Sequence, residues 1–183
     1  MGEAPTELEI VRLPPEEWRA YRELRLRALH DEPQAFGEPH DHAVALPERH
    51  WRRRLEDAQD QGAGDLLFAR RGGELVGLIG SFPYEPAANS NAKGTATREV
   101  RIYSVFVAAE ERGRGTGARL MEAMLAALAD SRRYDRVSLT VSEAQSAAVG
   151  LYRRFGFEVI DRVTAVLGDG QEHPELVMAR PLP

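Results

Sequence analysis

Val105 to Leu120 reads VFVAAEERGRGTGARL, an apolar strand-like run, a loop with three glycines and the opening of an amphipathic helix. Gly113, Gly115 and Gly117 alternate along it. Lacking Cβ atoms, they let successive backbone N–H groups converge on an anion, and the following helix adds the partial positive charge of its N-terminus at the same point. Arg112 and Arg114 can supply charge-assisted hydrogen bonds there. A tight turn with solvated arginines would need fewer glycines, so the segment reads as a phosphate or pyrophosphate cradle.

Several phosphate ligands are compatible with it. Gly113, Gly115 and Ala118 also satisfy the dinucleotide pattern G-x-G-x-x-G/A, which makes an NAD-type oxidoreductase the first alternative. That fingerprint normally opens a multi-stranded parallel domain, whereas here a single β-α-β unit follows and hairpins precede it. A P-loop is ruled out, because no Lys-Ser or Lys-Thr follows the glycines.

Outward from this segment, Glu99 to Val107 reads as a strand and Gly117 to Asp130 as a helix with Leu120, Met121, Met124, Leu125 and Leu128 facing inward. Val137 to Val141 is the next strand and Ser146 to Arg154 a further helix. Two late strands, Phe157 to Val163 and Leu176 to Ala179, flank a Gly168-Asp169-Gly170 turn. Upstream, Leu8 to Leu13 is a short strand, and Pro15 with Glu16 and Glu17 starts a helix. Trp18, Tyr21, Leu24, Ala28 and Leu29 share one face of it, and Pro33 stops it. An irregular stretch leads to a second helix started at Pro47, with Trp51 and Leu55 on one face. Leu66 to Ala69 and Leu75 to Ser81 form a hairpin turned by Gly72 and Gly73, and Pro83 to Arg98 reads as a long polar loop beside the site.

The chain of 183 residues, 43% hydrophobic and 29% charged, suits a single domain over 1–183 with a full core. No run approaches membrane-spanning length, and Met1 to Glu9 lacks a leader pattern. With no cysteine, thiolate chemistry and disulfides are excluded and the cytoplasm is the expected compartment. A formal charge of -5 argues against a nucleic-acid partner and tilts the expectation toward a cationic substrate. His30, Asp31, His40, Asp41, His42 and His50 lack the helical pairing of a catalytic zinc site and read as solvated surface, so no metal is expected. Arg52, Arg53 and Arg54 are consecutive and spread around their helix.

The passage from Val105 resembles the acetyl-CoA signature of the GNAT superfamily of N-acetyltransferases, Gln/Arg-x-x-Gly-x-Gly/Ala, with Arg112, Gly115 and Gly117 in the specified positions. Farther on, LTVSEAQSAAVGLYRRFGF resembles that superfamily's second signature through Leu151, Tyr152, Gly156 and Phe157. The order of elements over nearly the whole chain is similar too. The resemblance implies an α/β fold with a mixed, largely antiparallel sheet flanked by helices and splayed between its fourth and fifth strands. It implies acetyl-CoA as cofactor and direct acetyl transfer to a primary amine in a ternary complex.

Residue roles carry over the same way. The amides from Arg112 through Gly113, Arg114, Gly115, Thr116 and Gly117 to Ala118 would hold the pyrophosphate, and the main chain of Val105, Phe106 and Val107 would pair with the pantetheine arm. Gln145 stands near the start of the next helix where many relatives have asparagine. Tyr152 is the general-acid candidate, its alternative a core aromatic. The acceptor arrives protonated and needs a base. Glu99 is the carboxylate on the strand, but several relatives place glutamate where this chain has Arg101. Tyr103 would line the acceptor pocket or merely pack, and Phe36, Glu38, Trp51 and Tyr84 are further contacts expected for the acceptor. The family resemblance also allows a homodimer. A non-catalytic CoA-binding sensor is the second alternative.

Overall fold

The computed structural model describes residues 7–60, 64–85 and 97–183; residues 86–96 of the expected polar loop lie outside them. The strands are β1 Leu8–Val11, β2 Leu66–Arg71, β3 Glu74–Tyr84, β4 Glu99–Val107, β5 Arg136–Ser142, β6 Glu158–Val166 and β7 Glu172–Pro181. The helices are α1 Trp18–Asp31, α2 His40–Val44, α3 Glu48–Asp57, α4 Thr116–Ser131 and α5 Ser146–Arg154. All seven strands join one sheet in the order β1-β2-β3-β4-β5-β7-β6. Neighbours run antiparallel except β4 and β5, which are parallel. One parallel pair is not a doubly wound sheet, so the glycine loop does not open a dinucleotide domain.

The sheet is covered on both faces. Edge-to-face rings of Tyr21 with Trp51 (5.4 Å) and with Phe68 (5.5 Å) join α1, α3 and β2 on one side. On the other, Leu120, Met121, Met124 and Leu128 of α4 are buried, while Leu125 is half-buried at the margin. Gly77 is needed here: a Cβ would come within 3.0 Å of the Leu120 side chain and 2.9 Å of the Phe106 carbonyl oxygen.

Two departures from the sequence reading have local causes. β3 continues through Pro83 to Tyr84, paired with Val100 and Glu99 of β4. β2 begins opposite Gly80, so past that point β3 has no strand partner on its other side among the described residues and tolerates a residue without an N–H. Within the stretch expected to be irregular, Pro39 precedes the short helix α2; with five residues it is too brief for helical periodicity to register.

Pairing of β4 with β5 runs from Glu99↔Arg136 to Ile102↔Leu139 and no farther. Just beyond, the register with β3 shifts between Leu78 and Gly80, and Ser104 adopts a left-handed φ of 54°. Such a bulge bends a strand. It turns the last part of β4 away from β5 and opens the sheet.

Candidate active site

The opening between β4 and β5 is a cleft of 780 Å³. Val105, Phe106 and Val107 form one wall, Arg112, Gly113 and Gly115 to Ala118 the end, and Gln145, Leu151 and Tyr152 the opposite side. β3 pairs with one edge of this part of β4 through Gly77↔Val107 and Leu78↔Phe106. Among the described residues the other edge has no strand partner, and it can take an extended polar arm as an added strand would.

At the end of the cleft, Gly113 (φ 72°) and Gly115 (φ 83°) are left-handed, and Gly115 caps α4 without any side-chain hydrogen bond. The first-turn amides of α4 are therefore free of intrahelical and capping partners. A Cβ at Gly113 or Gly115 would meet nothing within 4 Å. The cradle is thus open, and the dipole of a helix reaching Ser131 is aimed at it. A diphosphate fits this donor set.

The arginines behave differently from what their sequence position suggests. Arg112 lines the cleft, but its Nε donates to the Val107 carbonyl at 3.0 Å and its guanidinium pairs with Glu32. Arg114 lies outside the lining, 63% exposed, with Glu111 3.6 Å away. Glu111, which the sequence reading passed over, is buried and holds the loop: the Thr116 hydroxyl donates to it at 3.3 Å and Arg71 pairs with it at 3.1 Å. Glu111 itself lines the cleft, so the brace of the loop is part of the cleft wall.

Tyr152, on α5, is buried to 5% exposure with its ring 6.1 Å from Phe157. Desolvation pushes its phenol well above the ordinary value. The near match between phenol and thiol that free side chains would have is lost, and the hydroxyl stays protonated as a hydrogen-bond donor. Gln145 precedes α5; its N–H donates to the Ser142 carbonyl at 3.0 Å and its carbonyl accepts from the Val149 N–H at 3.0 Å.

By period-two alternation Glu99, Arg101 and Tyr103 share the face of β4 that looks toward α1 and α3. Glu99 accepts from the Ser138 hydroxyl at 2.5 Å and lies 3.8 Å from Arg136. It stands six residues before Val105, roughly 20 Å along the strand, and is not brought to the cleft. The Tyr103 ring crosses Gly80, where a Cβ would lie 2.5 Å from it, and its hydroxyl accepts from Arg54 at 2.8 Å. Tyr84 lies under the Arg101 guanidinium at 3.6 Å. Trp51, 1% exposed, donates to the Leu46 carbonyl at 3.3 Å and offers no surface to a ligand. Phe36 is buried beneath the Arg25 guanidinium, and Glu38 accepts from Arg25 at 3.1 Å. The loop carrying Phe36 and Glu38 is clamped by the β6–β7 turn: the Gly168 N–H donates to the Phe36 carbonyl at 2.7 Å, and a Cβ there would meet the Glu38 carbonyl oxygen at 2.8 Å. Among the described residues no three His or acidic side chains are grouped to hold a metal.

One further residue emerges only from the register. Ile102 is level with Leu139, so continuing the register makes Ser142 about level with Val105. Ser142 pairs with Glu175 of β7. Alternation puts Ser138, Ser142 and Glu175 on the face of Arg101 and Tyr103, as the contact of Arg101 Nε with the Ser138 hydroxyl at 3.4 Å confirms for Ser138. Glu175 is buried to 9% exposure, and desolvation raises its carboxyl above the usual range, with His173 nearby opposing. In sequence it is one charge in a strand, and nothing marks it.

A mixed sheet opened between its parallel strands, with an uncapped helix start at the end of the gap, defines the acyl-CoA N-acyltransferase class of fold. The family model described as Acetyltransferase (GNAT) family matches residues 17–157, and the chain belongs to that family. A mycothiol acetyltransferase from Thermobispora bispora is 40% identical over 106 residues, 58% of this chain. The chain spans about a third of that relative's length, the match covering 34% of it. A spermine/spermidine N(1)-acetyltransferase from Bacillus subtilis is 31% identical over 106 residues, 57% of this chain and 66% of that protein. The structure of a putative acetyltransferase from Salmonella typhimurium with its cofactor acetyl-CoA superposes with a TM-score of 0.74 at 17% identity, over 97% of this chain and 95% of that one. At that identity the likeness is one of fold.

Proposed function

We propose that this chain is an acetyl-CoA-dependent N-acetyltransferase acting on a primary amine, with 1–183 as one catalytic domain. The observation that carries the reading is the left-handed, uncapped start of α4 at Gly115, set against an unpaired edge of β4 with Tyr152 across the gap. Acetyl-CoA, when bound, supplies the activated acetyl thioester. The amides of Gly113 to Ala118 would hold its diphosphate and the main chain of Val105 to Val107 its extended arm. That positioning is the largest contribution to rate. Tyr152 keeps its phenol proton and donates it as a hydrogen bond to the departing sulfur. The ammonium of the acceptor must lose a proton before nitrogen can attack, and in this reading Glu175 takes it, supported by its register about level with Val105 and by the burial that raises its carboxyl. Glu99, the carboxylate singled out from sequence, remains a structural anchor for Ser138 and Arg136 in this reading.

The same proposal includes a cytoplasmic setting, supported by the absence of cysteine; among the described residues no helix is long and apolar enough to cross a membrane. It also includes pairing of two copies, supported by exposed aliphatic side chains on the edge strand β6: Val159, Ile160, Val163 and Val166.

The test is the thermal midpoint of the protein with acetyl-CoA, CoA, NAD or ATP, followed by thiol release with an amine panel. A ligand that binds only the folded state raises the midpoint. A rise with acetyl-CoA and CoA together with amine-dependent thiol release is expected. A rise with NAD alone would defeat the reading, and binding without thiol release would point to a CoA sensor.

A further inference from the structure

The acceptor face carries a feature that the acetyltransferase reading does not by itself explain. Between α3, β3 and β4 lies a gap of 390 Å³ bounded by Arg54, Phe82, Tyr103, Asp57 and Asp65. Arg54 donates to the Tyr103 hydroxyl at 2.8 Å, with its guanidinium carbon 5.4 Å from that ring. Phe82, 37% exposed, packs 5.5 Å from Tyr103 and 6.5 Å from Tyr84, and Arg101 lies 3.6 Å above Tyr84. The result is an aromatic wall with a guanidinium at each end.

The charges here are unequally satisfied. Four carboxylates around the wall already have a cation: Asp65 pairs with Arg12 at 2.5 Å, Asp57 with Arg53 at 3.7 Å, Glu38 with Arg25 at 3.1 Å and Glu99 with Arg136 at 3.8 Å. Arg54 and Arg101 contact only hydroxyls and rings, and among the described residues neither has a carboxylate within ion-pair distance. Stacking on a ring holds a guanidinium plane while leaving N–H donors for a bidentate anion. A second ammonium brought to this wall would meet the positive charges of Arg54 and Arg101, while the two acids that line the gap, Asp57 and Asp65, are already paired.

We infer that this wall binds a carboxylate of the acceptor, so that the substrates are amines bearing an anionic group rather than polyamines. The inference rests on the acetyltransferase reading and specifies its acceptor. Tyr103 stands two residues before Val105, roughly 7 Å along the strand, which places the carboxylate several bonds from the reacting amine.

Three acceptors of one chain length separate the cases: ε-aminocaproate, n-hexylamine and hexamethylenediamine, each compared by kcat/KM for thiol release at saturating acetyl-CoA. The ω-amino acid is expected to exceed the diamine by about tenfold or more, as a charge-assisted hydrogen bond implies. Within each variant the same ratio should fall toward one in Arg101→Gln and Arg54→Gln, and Arg101→Lys should restore it only in part, since it keeps charge without the planar fork. A diamine turned over as well as the amino acid, or a ratio unchanged in both glutamine variants, would overturn the inference. Should none of the three be turned over, binding of the same compounds to CoA-saturated protein decides, and no preference for the carboxylate counts against it. Failure of acetyl-CoA to raise the midpoint is a different result, which removes the acetyltransferase reading beneath it.

Discussion

Desolvation acts on Tyr152 and Glu175 in the same sense and equips them for opposite tasks. Burial disfavours the charged form of each, so both pKa values rise. For a phenol this secures the proton it must offer, and for a carboxylate it increases affinity for a proton it must accept. Tyr152→Phe is expected to lower kcat by about 10²-fold, the low end for proton handling, while the acetyl-CoA-induced rise in midpoint persists. Glu175→Gln is expected to lower kcat/KM and to erase the fall in rate seen as pH drops through the carboxyl titration. The stability consequence has the opposite sign. With its carboxyl raised, the folded protein holds this proton more tightly than the unfolded chain does, so Glu175 favours the fold at low pH and disfavours it as pH rises through the folded value. The glutamine variant should therefore melt no lower than the parent at neutral pH. A large loss of stability there would mean that Glu175 is a structural group.

At the scale of elements, the strand–loop–helix unit from Val105 was legible because glycine and helical periodicity are local signals. Gly115→Val tests it. At φ 83° a branched side chain costs about 1–2 kcal/mol of backbone strain, and it stands in the open cradle. A lower midpoint without ligand and loss of the acetyl-CoA shift are expected; a retained shift would place the diphosphate elsewhere. The short helix α2 and the docking of Gly168 on the Phe36 loop were not legible. The first is too short for a period to show, and the second joins segments that no local rule connects.

For the molecule as a whole, the formal charge of -5 and the inferred carboxylate-binding wall point to different acceptors. Net charge sets the far field, whereas recognition depends on which charges remain unpaired at one surface, and at the wall of Tyr103 those are arginines. The edge strand β6 bears Ile160 at 51% and Val166 at 59% exposure. Sedimentation should accordingly give a dimer, and Ile160→Lys should shift it toward monomer; a monomeric parent at all concentrations would remove the pairing proposal.

Alternating apolar residues, prolines and glycines determined most elements of this chain in order, and the glycine loop marked the uncapped start of α4. These properties act over a few residues and are written in consecutive letters. Strand register separated two carboxylates that read alike in sequence: Glu99 is tied to Ser138 and Arg136, whereas Glu175 pairs with Ser142, about level with Val105. Trp51 likewise became core through its packing on Tyr21. Burial and charge pairing belong to contacts between distant segments, and it is those contacts that set the pKa of a carboxyl and leave Arg54 and Arg101, among the described residues, outside any ion pair.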